Sequence, residues 1–181
     1  TPAISSVTPG VTVVDDGHVG AAAFSLTIGY DQVMNTGVDP AITYPTVSED
    51  PEGTSFTGSS TSWLNNTTFQ IVYDVADADE NIPDIDVRIT GAEDPNGNVQ
   101  PSTDEINSFS VDTENPSVSA VNVNINPITD ANTGAETFVI TIDYNQDMAA
   151  APAPNINFPV ENPTSTISFS SGSWSGTTTY N

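Results

Sequence analysis

The chain repeats itself, and a fixed repeat period constrains the fold more tightly than any single residue, because each period must carry the same supersecondary unit. The stretch Phe24-Ser-Leu-Thr-Ile-Gly-Tyr-Asp-Gln-Val-Met34 pairs without a gap with Phe138-Val-Ile-Thr-Ile-Asp-Tyr-Asn-Gln-Asp-Met148, 114 residues downstream. The same offset pairs Pro2 with Pro116, Asp16 with Asp130, Gly20 with Gly134, and the Pro-x-Ile-x-aromatic-Pro run Pro40–Pro45 with Pro154–Pro159. About a third of the first 45 paired positions are identical. After a three-residue deletion, Ser62-Trp63 meets Ser173-Trp174 and Thr68-Phe69 meets Thr179-Tyr180. The repeat therefore divides the chain into 1–114 and 115–181. Nothing in the second part corresponds to residues 71–112. Three accounts fit that shortfall: the chain is cut, its remainder is disordered, or another chain completes the sheet. The opening Thr-Pro-Ala, with neither Met nor an apolar leader, reads as an internal stretch of a longer protein.

Within the unit, apolar residues alternate with polar ones at Phe24/Leu26/Ile28/Tyr30, Phe69/Ile71/Tyr73/Val75, Ile85/Val87/Ile89 and Phe109/Val111, the period of half-buried strands. Ala3–Val7, Val11–Val14, Ile42–Val47 and Thr54–Gly58 are further strand candidates. Turn-forming clusters separate them at Asp15-Asp-Gly, Glu49-Asp-Pro-Glu-Gly, Asn65-Asn and Asp94-Pro-Asn-Gly-Asn. No segment carries a sustained 3.6-residue period. The fold class is all-β, and about seven short strands in some 110 residues match an immunoglobulin-like β-sandwich in tandem repeats. Trp63 reads as an anchor of the core or its rim, and less readily as a carbohydrate platform.

Charge decides which partners such a unit can have. The 181 residues carry 24 acidic side chains against one basic one, Arg88, for a formal net charge of −23. Nucleic acid and anionic lipid both need Lys and Arg opposite their phosphates, so neither is an expected partner. No apolar run approaches the ~18 residues of a membrane span. Acidity of this degree can signal disorder, but hydrophobic residues make up 36% of the chain and fall in ordered patterns. Self-repulsion opposes compaction unless ions screen it, which makes multivalent cations, calcium above all, the natural counterpart. With no cysteine, neither disulfides nor thiolate metal sites hold the fold. With one Arg and no Lys, trypsin-like proteases find almost nowhere to cut, which suits exposure outside a cell.

Three motifs carry a family resemblance. The Phe138–Met148 strand, ending in a polar turn and Met, is similar to the second strand of bacterial Ig-like domains. Gly91-Ala-Glu-Asp-Pro-Asn-Gly-Asn98 resembles the Asp-x-x-Gly-Asn turn before their last strand. Phe109-Ser-Val-Asp-Thr-Glu-Asn-Pro116 resembles the Asp-Thr-x-x-Pro junction between consecutive repeats. Such repeats occur in large surface adhesins, biofilm proteins and surface-layer proteins. The resemblance implies a mechanical role outside the cell, and it does not by itself give a ligand.

If the strands run A to G in that arrangement, the E–F loop and the linker lie at one pole of the first repeat. Asp77, Asp79, Asp112 and Glu114 are then candidate calcium ligands, with Asp147 of the second repeat a fifth. Calcium takes six to eight oxygens in irregular geometry, which an Asp-x-Asp loop facing an Asp–Glu linker suits, although no EF-hand pattern is present. Glu80, Asp15, Asp16 and Asn145 lie at the same border. The bland alternative is a solvated acidic loop. Asp94, Asn96 and Asn98 read as turn formers.

No catalytic constellation stands out, and the chain reads as a non-enzyme. His18, the lone histidine, sits beside Asp15-Asp16-Gly17 and is replaced by Asn132 in the second repeat. The expected function is a rigid spacer of a surface adhesin, partnered by neighbouring repeats of its own chain and stiffened by calcium. The alternatives are a subunit of an extracellular filament or surface layer joined by strand exchange with other copies, and a glycan-binding module using Trp63 or Trp174.

Overall fold

A computed structural model describes residues 1–181. Eleven strands form: β1 (Ile4–Pro9), β2 (Val13–Asp15), β3 (Gly20–Tyr30), β4 (Ala41–Thr43), β5 (Phe56–Asn65), β6 (Thr68–Val75), β7 (Asn81–Thr90), β8 (Thr103–Asp112), β9 (Val118–Val123), β10 (Ile140–Tyr144) and β11 (Thr179–Tyr180). The only helical pieces are three single 3₁₀ turns, and no helix is long and apolar enough to cross a membrane. The fold is all-β. Contacts divide it into two units, Thr1–Asn115 and Pro116–Asn181.

The first unit is a sandwich of two four-stranded sheets, ordered β1-β3-β6-β5 and β2-β8-β7-β4. Alternation builds it. Phe24, Leu26, Ile28 and Tyr30 of β3 and Phe69, Ile71, Tyr73 and Val75 of β6 all point inward and are buried. Ile82, Ile85, Val87 and Ile89 of β7, with Phe109 and Val111 of β8, face them from the other sheet. Phe24 meets Phe109 with ring centroids 4.6 Å apart and Phe56 at 5.2 Å, so one aromatic cluster joins the sheets. The chain changes sheets between β1 and β2. Gly10 N–H donates to Ser25 O on one side, while Ser110 N–H donates to Thr12 O on the other. A Cβ on Gly10 would stand 3.0 Å from Ser25 Oγ. β2 then runs parallel to β8, the other ladders being antiparallel.

Four strand boundaries differ from the sequence reading: Ala3–Val7 becomes Ile4–Pro9, Val11–Val14 becomes Val13–Asp15, and two others change more. The strand expected over Ile42–Val47 stops at Thr43, because Pro45 has no N–H to give a ladder; a 3₁₀ turn at Val47–Glu49 follows. The strand expected at Thr54–Gly58 begins at Phe56 and continues to Asn65. Its Ser/Thr-rich second half lies at a sheet edge with most side chains in solvent, so no apolar alternation marks it.

The second unit is one antiparallel sheet, β11-β10-β9. Its local geometry recurs from the first at the sequence offset. Tyr144↔Val118, Ile142↔Val121 and Ile140↔Val123 occupy the places of Tyr30↔Ile4, Ile28↔Val7 and Leu26↔Pro9. The 3₁₀ turn Asp16–His18 corresponds to Asp130–Asn132. Gly20 and Gly134 have φ of +149° and +147°, a conformation side chains avoid. Trp63 packs between Tyr30 (5.6 Å) and Phe69 (5.3 Å), and Trp174 between Tyr144 (5.7 Å) and Tyr180 (5.3 Å).

Candidate functional site

The acids proposed as ligands lie mainly on the β6–β7 connection and on the linker that leaves β8. Past Val75 the chain turns through Ala76–Glu80. Asp77 Oδ1 accepts from Asp79 N–H at 3.2 Å, closing an Asx-type turn. Asp79 adopts a left-handed conformation (φ 54°), which a short polar side chain tolerates. Its Oδ1 then accepts from Asn115 N–H at 2.7 Å. Glu80 continues the connection to the linker, its carbonyl accepting from Thr113 N–H at 2.9 Å and its N–H donating to Thr113 Oγ1 at 3.3 Å. Thr113 is fully buried. Glu80 Oε1 also accepts from Thr54 Oγ1 at 2.7 Å, Ser55 N–H at 3.2 Å and, in a very short bond, Ser55 Oγ. One carboxylate therefore pins the β4–β5 loop to the turn that holds the linker.

This arrangement brings Asp77, Asp79 and residues 113–115 together, but as a hydrogen-bonded joint. Asp112 ends β8 opposite Asn81, with an exposed side chain and Asp15 beside it in the parallel ladder. Glu114 is half-buried. Asp147, in the second unit, accepts from Thr177 Oγ1 at 2.6 Å, and Asn145 Oδ1 caps Ser117 N–H at 2.7 Å, as Asp31 caps Ala3 N–H at 2.9 Å. No group of three acidic or histidine side chains is gathered so as to hold a metal ion. Asp77 Oδ1 and Asp79 Oδ1 each accept a backbone N–H, which fixes both carboxylates within the joint. No family model matches this chain, and no curated protein or solved structure is detectably similar to it.

Other polar residues singled out in the sequence have structural tasks. His18 Nδ1 pairs with Asp15 Oδ1 at 2.7 Å inside the first 3₁₀ turn. Arg88 clamps Asp104 across β7 and β8 with two bonds of 2.7 and 2.8 Å. Burial pushes the Tyr73 hydroxyl up to about 12 and raises Tyr44 as well, so both stay neutral. The trio at Asp94 is more than a sequence of turn formers. Asp94 is almost wholly buried and accepts from Asn96 N–H (2.8 Å), Asn98 N–H (2.9 Å), Asn98 Nδ2 (2.7 Å) and Gln32 Nε2 (3.2 Å). It ties its own turn to the β3–β4 loop. Nothing in the residue order shows Gln32 arriving from 62 positions away.

A pH experiment checks this role. Hydrogen bonds from the Asn98 side chain, then from the Asn98 backbone, hold the Asp94 carboxyl below its usual range. A depressed folded-state pKa contributes stability above the unfolded value of about 4 and loses it as pH falls through the lower folded value. Asp94→Asn should therefore melt below the wild type at neutral pH. The gap between the two proteins should close as pH drops below about 4. Thermal melts of both proteins along that pH series measure it, and a gap independent of pH would contradict the assignment.

Proposed function

We propose that the chain is a spacer segment of an extracellular bacterial stalk, built from immunoglobulin-like modules in tandem. With β1 to β8 lettered A, A′, B, C, D, E, F and G, the first unit's sheets read A-B-E-D and A′-G-F-C. This order supports the immunoglobulin-like reading, whose constant type pairs ABED with CFG. The recurrence of register, 3₁₀ turn and aromatic trio in the second unit supports tandem repetition. The observation that carries the mechanical reading is the joint at residues 113–115. A linker hydrogen-bonded to Asp79 and Glu80 leaves its module in a set direction, as a stiff spacer requires.

Calcium enters this reading on charge alone: with one Arg among 24 acids, dissolved cations must screen the carboxylates. Calcium bound by Asp77, Asp79, Asp112 and Glu114 would brace the linker further. A site saturated a hundredfold above its Kd adds about 2.7 kcal/mol to stability. The expected result is a saturable calorimetric titration, a higher melting temperature and a longer particle in small-angle scattering. Asp112→Ala should weaken all three. Equal effects of calcium and magnesium, or none on chelation, would remove calcium and leave a spacer held by its hydrogen bonds.

Assembly with other chains is the second reading, favoured by the exposed apolar side chains of Val118, Val121 and Val123. The glycan reading has less support, because both Trp rings pack edge-on or tilted against neighbouring aromatics.

A further inference from the structure

β5 is a strand edge of a kind that folded proteins seldom leave bare. Of the four outer strands in the first unit's sandwich it is the longest, with 10 residues against 6 in β1 and 3 each in β2 and β4. Its free N–H and C=O groups invite another strand, which charged side chains, proline or a mid-strand bulge would discourage. β5 has none of these over its middle. No residue from Gly53 to Tyr73 is charged, in a chain with 24 acids, and its register shifts lie near its two ends. A cover other than its own side chains would remove that liability.

The hairpin that ends β5 offers an attachment point. Asn65-Asn66-Thr67-Thr68 contains two overlapping Asn-x-Thr sequences, the acceptor pattern for N-linked glycans on surface loops of exported proteins. Both asparagines are exposed. Their surroundings differ. Asn65 Oδ1 accepts from Thr67 N–H and from Thr67 Oγ1, each at 2.9 Å, so the carboxamide and hydroxyl of the first sequence already meet. The reacting atom, Nδ2, is the other end of that carboxamide. In the second sequence the hydroxyl belongs to Thr68, which is held in β6 opposite Gly29 on one side and Asn65 on the other. The Asn66 carbonyl is meanwhile tied down by Met34 N–H at 2.7 Å. Forming the same turn at Asn66 would pull Thr68 out of its ladder.

We infer that Asn65 is the acceptor of an N-linked glycan that stands at the end of the bare β5 edge. The donor class is a lipid-diphosphate-linked oligosaccharide. Asn65 Nδ2 bonds to the anomeric carbon of its first sugar, the bond from that carbon to the diphosphate oxygen breaks, and one amide proton passes to a base of the transferase. The inference goes beyond the spacer reading and draws on it only for export. The test therefore uses the folded 181-residue chain in vitro, with a purified oligosaccharyltransferase that accepts Asn-x-Thr and its lipid-linked donor. The expected result is a mass increase of one glycan, mapped to Asn65 by fragmentation. Asn65→Gln should abolish it. Asn66→Gln keeps the first acceptor sequence and should retain the glycan, whereas Thr67→Ala keeps only the second and should lose it. Melting curves show that these exposed-turn variants are folded. The inference is overturned by an unmodified chain beside a modified control Asn-x-Thr peptide, or by a glycan on Asn66 that survives Asn65→Gln. Neither result bears on calcium or particle length, so the spacer reading stands or falls separately.

Discussion

Phe24→Ala should destabilise the first unit by about 3–5 kcal/mol, the range for deleting a fully packed aromatic side chain. The same change at the matching position of the second unit, Phe138→Ala, should cost well under half of that. The argument is one of neighbours. Phe24 is 2% exposed and its ring lies 4.6 Å from Phe109, 5.2 Å from Phe56 and 6.2 Å from Tyr73. Removing it leaves a cavity bounded by rings from both sheets, which cannot collapse without breaking strand pairing. Phe138 lines a groove open to solvent, so its loss creates little new void and exposes little that was dry. Each unit has a single Trp, so unfolding of each can be followed separately in urea. Trp174→Phe leaves Trp63 to report the first unit, and Trp63→Phe leaves Trp174 to report the second. Equal costs at the two positions would mean that the second unit's apolar face is covered after all, and the contrast drawn between the units would be lost.

That contrast also explains how far the residues alone could be read. β3, β6, β7 and β8 declare themselves, because each has one face in the core and the two-residue alternation is the imprint of that burial. β5 does not, since it is the edge strand of its sheet and lies mostly in solvent, where Ser and Thr serve as well as Val. Even β7 breaks its own pattern. Pro83 sits at an irregularity between Ile82 and Ile85, with Asp84 at φ 56°, so the alternation slips by one and resumes. The polar site was legible only as a concentration of acids. Which carboxylate bonds to which N–H depends on contacts between residues far apart in the chain. Thus Asp79 reaches Asn115, 36 positions on, and Glu80 reaches back 25 positions to Ser55. Charge counting cannot register which carboxylate oxygens accept backbone N–H groups, so it ranks all of these acids alike.

Glu80 offers the sharpest test of that joint. Glu80→Ala should lower the stability of the first unit by about 2–3 kcal/mol, the cost of leaving buried donors without an acceptor where that acceptor was ionised. Ser55 is fully buried, and both its N–H and its hydroxyl donate to Glu80 Oε1, as does Thr54 Oγ1. Truncation at Cβ removes all three bonds. Glu80→Gln keeps one carbonyl oxygen in place, so it should recover much of the loss, and a charge-only role would not allow that recovery. The effect should also reach the linker. The Glu80 backbone holds Thr113 through both its N–H and its carbonyl, so a loosened turn should speed amide exchange at Thr113 and Asn115 more than within β8. If exchange at those two amides is unchanged while the unit as a whole is destabilised, Glu80 is only a loop anchor. The linker would then be held by the Asp79 carboxylate and the Glu80 backbone without help from the Glu80 side chain.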